Sequence, residues 1–394
     1  MYKSVDATVM RQFNKRTVLN VLYKRQQTSR VSISRETGLN RATVSSLVDE
    51  LIAEQFVQEV GLGTSKGGRK PILLRFNANA GYAIGIDLQI THIDTVLTNT
   101  RREVVYQNRL QMAVHKKPIT SKLLHTVLTE EVRAATAVCP KSPRGILGVG
   151  VALPGLVSYE TGRVTYLPNL GITDWSIAAD LTQSLQVPVA IDNDANCGAW
   201  EAFLSTGIPN LLFINAGIGV GAGIILKGQL HRGRDGIAGE AGHTTISTLG
   251  VLCSCGNYGC WEQYSSEQAL ARYLREQGGG QVDAFAPGFV DGCIEAAQSG
   301  NQAYIQSWRT LAEALGVGIS NLLQILNPES VYLGGTIAEA APIILPEIQR
   351  VIRHRAMFAN KTVPVSVFPR ETVARGAAGL AIARAIDMLP THAR

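Results

Sequence analysis

The 394-residue sequence predicts an α/β protein in which a small winged helix-turn-helix precedes a larger region of alternating strands and helices. Three observations carry that expectation. A Gly turn between two amphipathic helices is followed by a basic hairpin. A series of apolar runs ends, one after another, in glycines or short polar side chains. A histidine stands upstream of three clustered cysteines.

Charge separates the two parts. Residues 1–79 hold 13 Lys/Arg against 6 Asp/Glu, while the remaining 315 hold 24 against 25. The whole basic excess lies in the first fifth of the chain, which points to a polyanion partner for that segment. Apolar content of 45% and charged content of 17% are those of a soluble globular chain. The opening Met1–Asp6 has no apolar core of a secretory signal, and no apolar run approaches the ~18 residues of a membrane span. A cytoplasmic location is expected, where thiols stay reduced and a cysteine cluster favours metal over disulfides.

In the first part, Val18, Leu19 and Leu22 give a helical stripe between Phe13 and Tyr23. A short helix is expected over about 32–37, a turn at Gly38, and a second helix over about 41–54. Asn40 is a suitable N-cap for the second helix. Val44, Leu47, Val48 and Leu51 form its buried stripe. Arg41, Ala42, Thr43, Ser45 and Ser46 are left exposed near its start, short or basic and suited to base edges and phosphates. The runs Phe56–Val60 and Ile72–Phe76 make a hairpin whose narrow tip carries Gly67, Gly68, Arg69, Lys70 and Pro71. Such a basic tip suits placing Arg69 in an A/T-rich minor groove, where the potential is most negative, the alternative being a mobile charged loop with no DNA contact. Asn40, Arg41, Ala42, Thr43, Ser45 and Ser46, with Arg69 and Lys70, form the expected DNA-contacting set. A three-helix interaction domain is the competing reading.

After Asn77–Gly81 the composition changes. Strand-like runs appear at 83–87, 94–98, 146–152, 187–191, 211–215 and 331–333, with helical stretches such as 121–137 and 308–326 between them. Their ends carry Pro154-Gly155, Asp192-Asn193-Asp194, Gly217–Gly221 and Gly334-Gly335. Ligands bind at such strand ends in α/β sheets.

Within the cluster, His243 precedes Cys253, Cys255 and Cys260. Three thiolates and an imidazole make a tetrahedral zinc shell. The spacing departs from the common Cys-x-x-Cys knuckle, so a reduced surface-turn cluster beside an unrelated histidine competes. Glu240 and Glu262 flank the candidate ligands, and a metal-fixed turn there would aim two carboxylates at a ligand.

Five motifs together resemble one family. They are Ala152-Leu153-Pro154-Gly155, Leu167-Pro168-Asn169, Asn193-Asp194-Ala195-Asn196, Gly239-Glu240-Ala241-Gly242-His243, and Cys253-x-Cys-Gly-x-x-Gly-Cys-Trp-Glu262. Residues 80–390 resemble the ROK proteins, which comprise repressors, open reading frames and sugar kinases. The resemblance implies a two-lobed actin-like ATPase (ROK sugar kinase) fold: a first lobe over 80–192 and a second over 193–394 whose C-terminal helix returns to the first. With the winged helix over 1–79, the chain is similar to the ROK repressors, most of all their xylose-responsive branch. Asn169, Asn193, Asp194, Glu240, His243 and Glu262 match the family's sugar-contacting positions. His243, Cys253, Cys255 and Cys260 match its structural zinc (Zn2+) ligands. Tyr166 and Trp175 are candidates for stacking on a sugar face or for packing.

The chain departs from the kinases at both phosphate loops. Where the kinases carry Asp-x-Gly-Gly-Thr, this sequence has Asp87-Leu88-Gln89-Ile90-Thr91. Gln89 and Ile90 put side chains where glycines would let backbone amides approach phosphates. Ala216 replaces a usual hydroxyl before Gly217. The expectation is therefore no enzyme but a repressor whose partners are operator DNA and a monosaccharide, xylose or a glucose-like sugar, acting as a homodimer or tetramer. A sugar kinase with a fused DNA-binding domain and a zinc-responsive regulator are the alternatives.

Overall fold

The computed structural model describes residues 7–25, 27–64, 70–112 and 119–387. The first unit contains α1 (Ala7–Lys24), β1 (Thr28–Ser29), α2 (Arg30–Thr37), α3 (Arg41–Ala53), β2 (Val57–Leu62) and β3 (Ile72–Phe76). Gly38 takes φ 74°, a left-handed value that suits glycine, and ends α2. Asn40 opens α3 by accepting a 2.8 Å hydrogen bond from the Thr43 amide. Val44, Leu47, Val48 and Leu51 are buried against Ile33 and the α1 stripe. The sheet has three strands in the order β1-β3-β2, all antiparallel. The sequence pattern supplied only the two longer strands, because two residues at β1 cannot show a period.

The larger region contains two sheets of five strands. The first comprises β4 (Tyr82–Leu88), β5 (His92–Asn99), β6 (Val104–Gln111), β7 (Ile146–Leu153) and, after a small antiparallel sheet, β11 (Val189–Asn193). The small sheet is β8 (Leu156–Ser158), β9 (Arg163–Leu167) and β10 (Ile172–Trp175). Helices α4 (Ser121–Ala137) and α5 (Ile177–Leu185) cover one face of the large sheet. Helix α6 (Asp194–Thr206) leads to the second sheet. This contains β12 (Leu211–Ala216), β13 (Val220–Leu226), β14 (Gln229–Leu230), β15 (Ser330–Gly334) and β16 (Val365–Val367). Helices α7 (Glu262–Ser265), α8 (Glu267–Glu276), α9 (Phe289–Gln298), α10 (Gln302–Leu326), α11 (Ala341–Arg355) and α12 (Thr372–Asp387) complete the chain.

Strand order is β6-β5-β4-β7-β11 in one sheet and β14-β13-β12-β15-β16 in the other. Each sheet is thus an antiparallel meander of three strands followed by two parallel additions. Between the sheets lie two helices: α12 against β4, β7 and β11, and α6 against β12 and β13, with α6 and α12 in contact. Glycines permit this approach. A Cβ on Gly150 would collide with the Ala377 carbonyl, and one on Gly376 with the Cys197 carbonyl.

The winged helix shares its core with the larger region. Val18, Leu22, Phe56 and Phe76 belong to the same buried cluster as Trp200, Phe203 and Leu380. Helix α1 meets α12, where the buried Tyr23 hydroxyl donates to the Gly379 carbonyl at 2.8 Å. The Arg144 guanidinium lies 4.0 Å from the Phe56 ring centroid. Among the described residues, no helix is long and apolar enough to cross a membrane.

Candidate functional site

A cleft of about 360 Å³ opens between the two sheets, within the ~300–1,000 Å³ of small-molecule sites. It lies at the strand ends that the sequence pattern marked. Asn169, Asn193, Asp194, Glu240, His243 and Glu262 all line it.

Asp194 occupies the joint between the lobes, at the first turn of α6. One carboxylate oxygen accepts from the Ala195 amide at 2.8 Å. The other accepts from Asn215 Nδ2 at 2.9 Å and Gln89 Nε2 at 3.3 Å, so each sheet contributes one donor. Burial pushes the Asp194 carboxyl above its ordinary value, against these hydrogen bonds. Asp87 lies behind it and is raised well above the ordinary value by burial, then by the charges of Asp194 and Asp94.

Asn193 is partly committed to structure. Its carbonyl caps α6 through the amides of Ala195 and Asn196, and its amide donates to Gly155 at 3.2 Å. One N–H of that amide is left for a ligand. Asn169 sits exposed in a short 3-10 turn, Pro168–Leu170, ended by Gly171 at φ 63°. Tyr166 is 41% exposed and lines the cleft. Trp175 is only 7% exposed and sits in the first-lobe core, with its indole N–H on Asp180, so it packs and does not reach the cleft.

The His243, Cys253, Cys255 and Cys260 donor atoms all lie within 4.8 Å of one another. His243 Nδ1 is 3.6 Å from Cys253 Sγ, and Cys255 Sγ is 3.6 Å from Cys260 Sγ. Zn–S bonds of about 2.3 Å in a tetrahedron separate sulfurs by roughly 3.8 Å, so the donor set suits a metal ion of that size. The loop is shaped for this convergence. Gly259 has φ 74°, and a side chain there would collide with the Ser247 carbonyl. Trp261, wholly buried, roots the loop in the second-lobe core by donating to the Ala314 carbonyl at 2.9 Å. The other His243 nitrogen, Nε2, is 3.9 Å from Glu240, while Glu262 Oε1 is 3.3 Å from Cys253 Sγ. Both carboxylates therefore lie beside the donor set and face the cleft.

The two hairpin turns at the cleft are unlike. In the β4–β5 turn, Gln89 Nε2 bonds Asp87 at 2.7 Å and Ile90 is 2% exposed, so side chains fill the turn. In the β12–β13 turn, Gly217 and Gly219 leave the backbone bare, and the Gly217 amide bonds the Gly219 carbonyl at 2.9 Å. Beside that second turn stands Glu267, which the sequence reading missed. Its amide bonds the Gly217 carbonyl, and its carboxylate accepts from the Thr336 hydroxyl. Burial pushes its carboxyl up to about 7. An acid at the start of a helix gave no signal in the sequence beyond an ordinary N-terminal charge.

A profile of the ROK family matches residues 83–384. The chain belongs to the ROK family. Among ROK relatives, the xylose repressor of Caldicellulosiruptor bescii is 37% identical, over 97% of this chain and 98% of that one. The crystal structure of a ROK family transcriptional regulator, a homolog of the E. coli MLC protein, superposes with a TM-score of 0.76 at 25% identity, covering 96% of each chain. A ROK glucokinase from Streptomyces griseus, solved with glucose and AMPPNP, superposes with a TM-score of 0.68 at 26% identity. It covers 76% of this chain and 99% of its own.

Of the expected DNA-contacting residues in this ROK protein, Asn40, Arg41, Ala42 and Ser46 are exposed at the start of α3, and Thr43 and Ser45 are half-buried. Arg41 makes no ion pair among the described residues. Ser46 Oγ accepts from Arg11 at 3.2 Å, which ties it to α1. Lys70 is exposed in the connection between β2 and β3, and Arg69 lies outside the described residues.

Proposed function

We propose that this ROK protein is a sugar-responsive transcriptional repressor. Its winged helix binds operator DNA, and a monosaccharide in the interlobe cleft, D-xylose first among candidates, releases it. The observation that carries this reading is one arrangement: the cleft's polar set and the winged helix are joined by two touching helices, α6 and α12. Asp194 begins α6, and α12 holds α1 through Tyr23.

In this reading Asp194, Glu240 and Glu262 accept hydrogen bonds from sugar hydroxyls, and Asn169 and Asn193 bind through their amides. Charge-assisted bonds of this kind are the strong ones in a water-poor cleft. His243 offers its Nε2 side to the sugar. Zinc bound by His243, Cys253, Cys255 and Cys260 would fix the loop that positions Glu240 and Glu262. Sugar takes the place of Gln89 as a partner of Asp194, the lobes close, and the shift of α6 against α12 reaches α1. Two copies, with their α3 helices in successive major grooves, read the halves of a palindromic operator. Sugar and operator then weaken each other reciprocally, typically by ~1–3 kcal/mol.

The kinase reading is disfavoured by three features of the same cleft. Gln89 and Ile90 fill the first turn, Ala216 supplies no hydroxyl before the second, and the Glu267 carboxylate stands where phosphate oxygens would approach. Operator binding, followed by fluorescence anisotropy at fixed salt with a panel of sugars, tests the proposal. Loss of affinity with one pentose or hexose is expected. An unchanged operator complex with every sugar, or sugar-dependent ATP turnover, would overturn it. Arg41→Ala should weaken operator binding by ~1–3 kcal/mol if Arg41 pairs with a base. An unchanged affinity would remove Arg41 from the readout.

A further inference from the structure

A second cavity, of about 260 Å³, lies at the junction of the winged helix and the first lobe, remote from the interlobe cleft in its lining. The winged helix contributes Tyr23 and Arg25 from α1 and its extension, and Arg75 from β3. The turn between β5 and β6 contributes Arg101, Arg102 and Glu103. Four guanidiniums thus face one carboxylate. The arginines are unequally paired. Arg25 meets Glu36 at 3.3 Å, Arg101 meets Glu103, and Arg102 meets the buried Glu201 at 2.8 Å. Glu201 is shared with Arg375 at 2.7 Å. The Arg75 guanidinium makes no hydrogen bond or ion pair among the described residues, and its half-buried side chain carries a buried, unpartnered Nε. Glu36, Glu201 and Arg375 stand behind the wall, so the wall itself carries four guanidiniums and the single carboxylate of Glu103.

Arg102 holds φ 63°, a left-handed value common in tight hairpin turns. It presents two consecutive arginines from one tight turn. Planar guanidinium forks are the groups that match tetrahedral oxyanions, and four of them against one carboxylate on the wall suit a phosphate carrying about −1.5 to −2 at neutral pH.

We propose that this junction binds a small phosphate-type dianion, either inorganic phosphate or the phosphoryl group of a small metabolite, with Arg75 and Arg101 as its principal ligands. The anion would touch the DNA-reading unit and the first lobe at once. It therefore constitutes a second effector input, separate from the sugar cleft and independent of which sugar that cleft takes.

Titration calorimetry of the full chain without DNA tests this, using inorganic phosphate and ribose 5-phosphate, with chloride at matched ionic strength as the control. Saturable binding of one or both phosphates, one per chain, is expected. Tighter binding of the free ion would assign inorganic phosphate, and tighter binding of the ester would assign a phosphorylated metabolite. Arg75→Gln and, separately, Arg101→Gln should each weaken phosphate binding at least tenfold while leaving sugar affinity unchanged. The second variant guards against misfolding of the first. No saturable phosphate binding, or equal binding by wild type and both variants, would overturn the site. An Arg75→Gln protein that loses operator affinity yet keeps phosphate affinity would also overturn it, and would place Arg75 on the DNA backbone.

Discussion

The two lobes share a strand order, yet their first hairpins have been put to opposite use. The β4–β5 turn is filled by Gln89 and the buried Ile90, and Gln89 reaches across to Asp194. The β12–β13 turn keeps Gly217 and Gly219, and its neighbour Glu267 brings a buried carboxylate to the bare backbone. One turn is filled by its own side chains, the other is bare and flanked by a buried carboxyl. A repeated backbone thus carries two differently furnished turns, and under the proposed function each is a separate way of turning away a phosphorylated ligand. The second lobe also carries a feature with no counterpart among the described residues of the first, the His243/Cys loop.

That unmatched loop should show the largest effect. Cys255→Ser is expected to lower bound zinc, measured by elemental analysis, and to lower the melting temperature, since metal binding to such a site is folding free energy on the order of 10 kcal/mol. Full zinc content with unchanged melting would remove Cys255 from the ligand set. Asp194→Ala tests the residue on which both hairpins converge. Sugar affinity by calorimetry should fall by ~1.5–3 kcal/mol, about 10- to 150-fold, with operator affinity retained. Normal induction of that variant would refute the role given to Asp194.

Glu267→Gln probes the charged turn. The Glu267 carboxyl rises from an ordinary 4.5 to about 7 in the folded chain. The folded state therefore keeps a proton that the unfolded state releases between those values. Stability contributed by this group is full below pH ~4.5 and is lost as pH rises to ~7, by at most ~3 kcal/mol. Denaturant unfolding from pH 5 to 8 should show this decline in wild type and its reduction in the glutamine variant. Identical pH profiles would mean that Glu267 is solvated. The smallest effect is expected from Gln89→Gly, which opens only the filled turn. AMPPNP should bind weakly at best to that variant and better when Glu267→Gln is added. Strong nucleotide binding by the unaltered chain would abolish the distinction drawn between the turns.

Much of this was legible from residues alone. Asn40 and Gly38 bracket the turn of the winged helix through local chemistry, a cap and a left-handed φ, so no distant contact was needed to read them. The strand-end motifs were equally local, and their side chains meet in one cleft. Glu201 was not legible. Its partners Arg102 and Arg375 come from far along the chain, and in sequence all three look like ordinary surface charges. The small sheet β8 to β10 was missed because its strands are too short for a clear period. For Trp175 the residues alone left stacking and packing both open, with packing favoured, and its burial in the first-lobe core is that packing. Glu267 was hidden because only the fold brings it against Gly217.

Helix α12 is made after every strand of both sheets, yet it lies between them and against α1. A ribosome translating this chain would therefore release the winged helix and all five strands of the first sheet well before the helix that fits among them. Until then the Gly85 and Gly150 face has no α12 to pack against, and Tyr23 has no Gly379 carbonyl. Folding is accordingly governed by a very late, non-local contact, the kind that slows assembly and exposes apolar surface to aggregation. A premature stop that removed only α12 would spare every residue proposed to read DNA or to face the sugar, and still deny the chain its central beam.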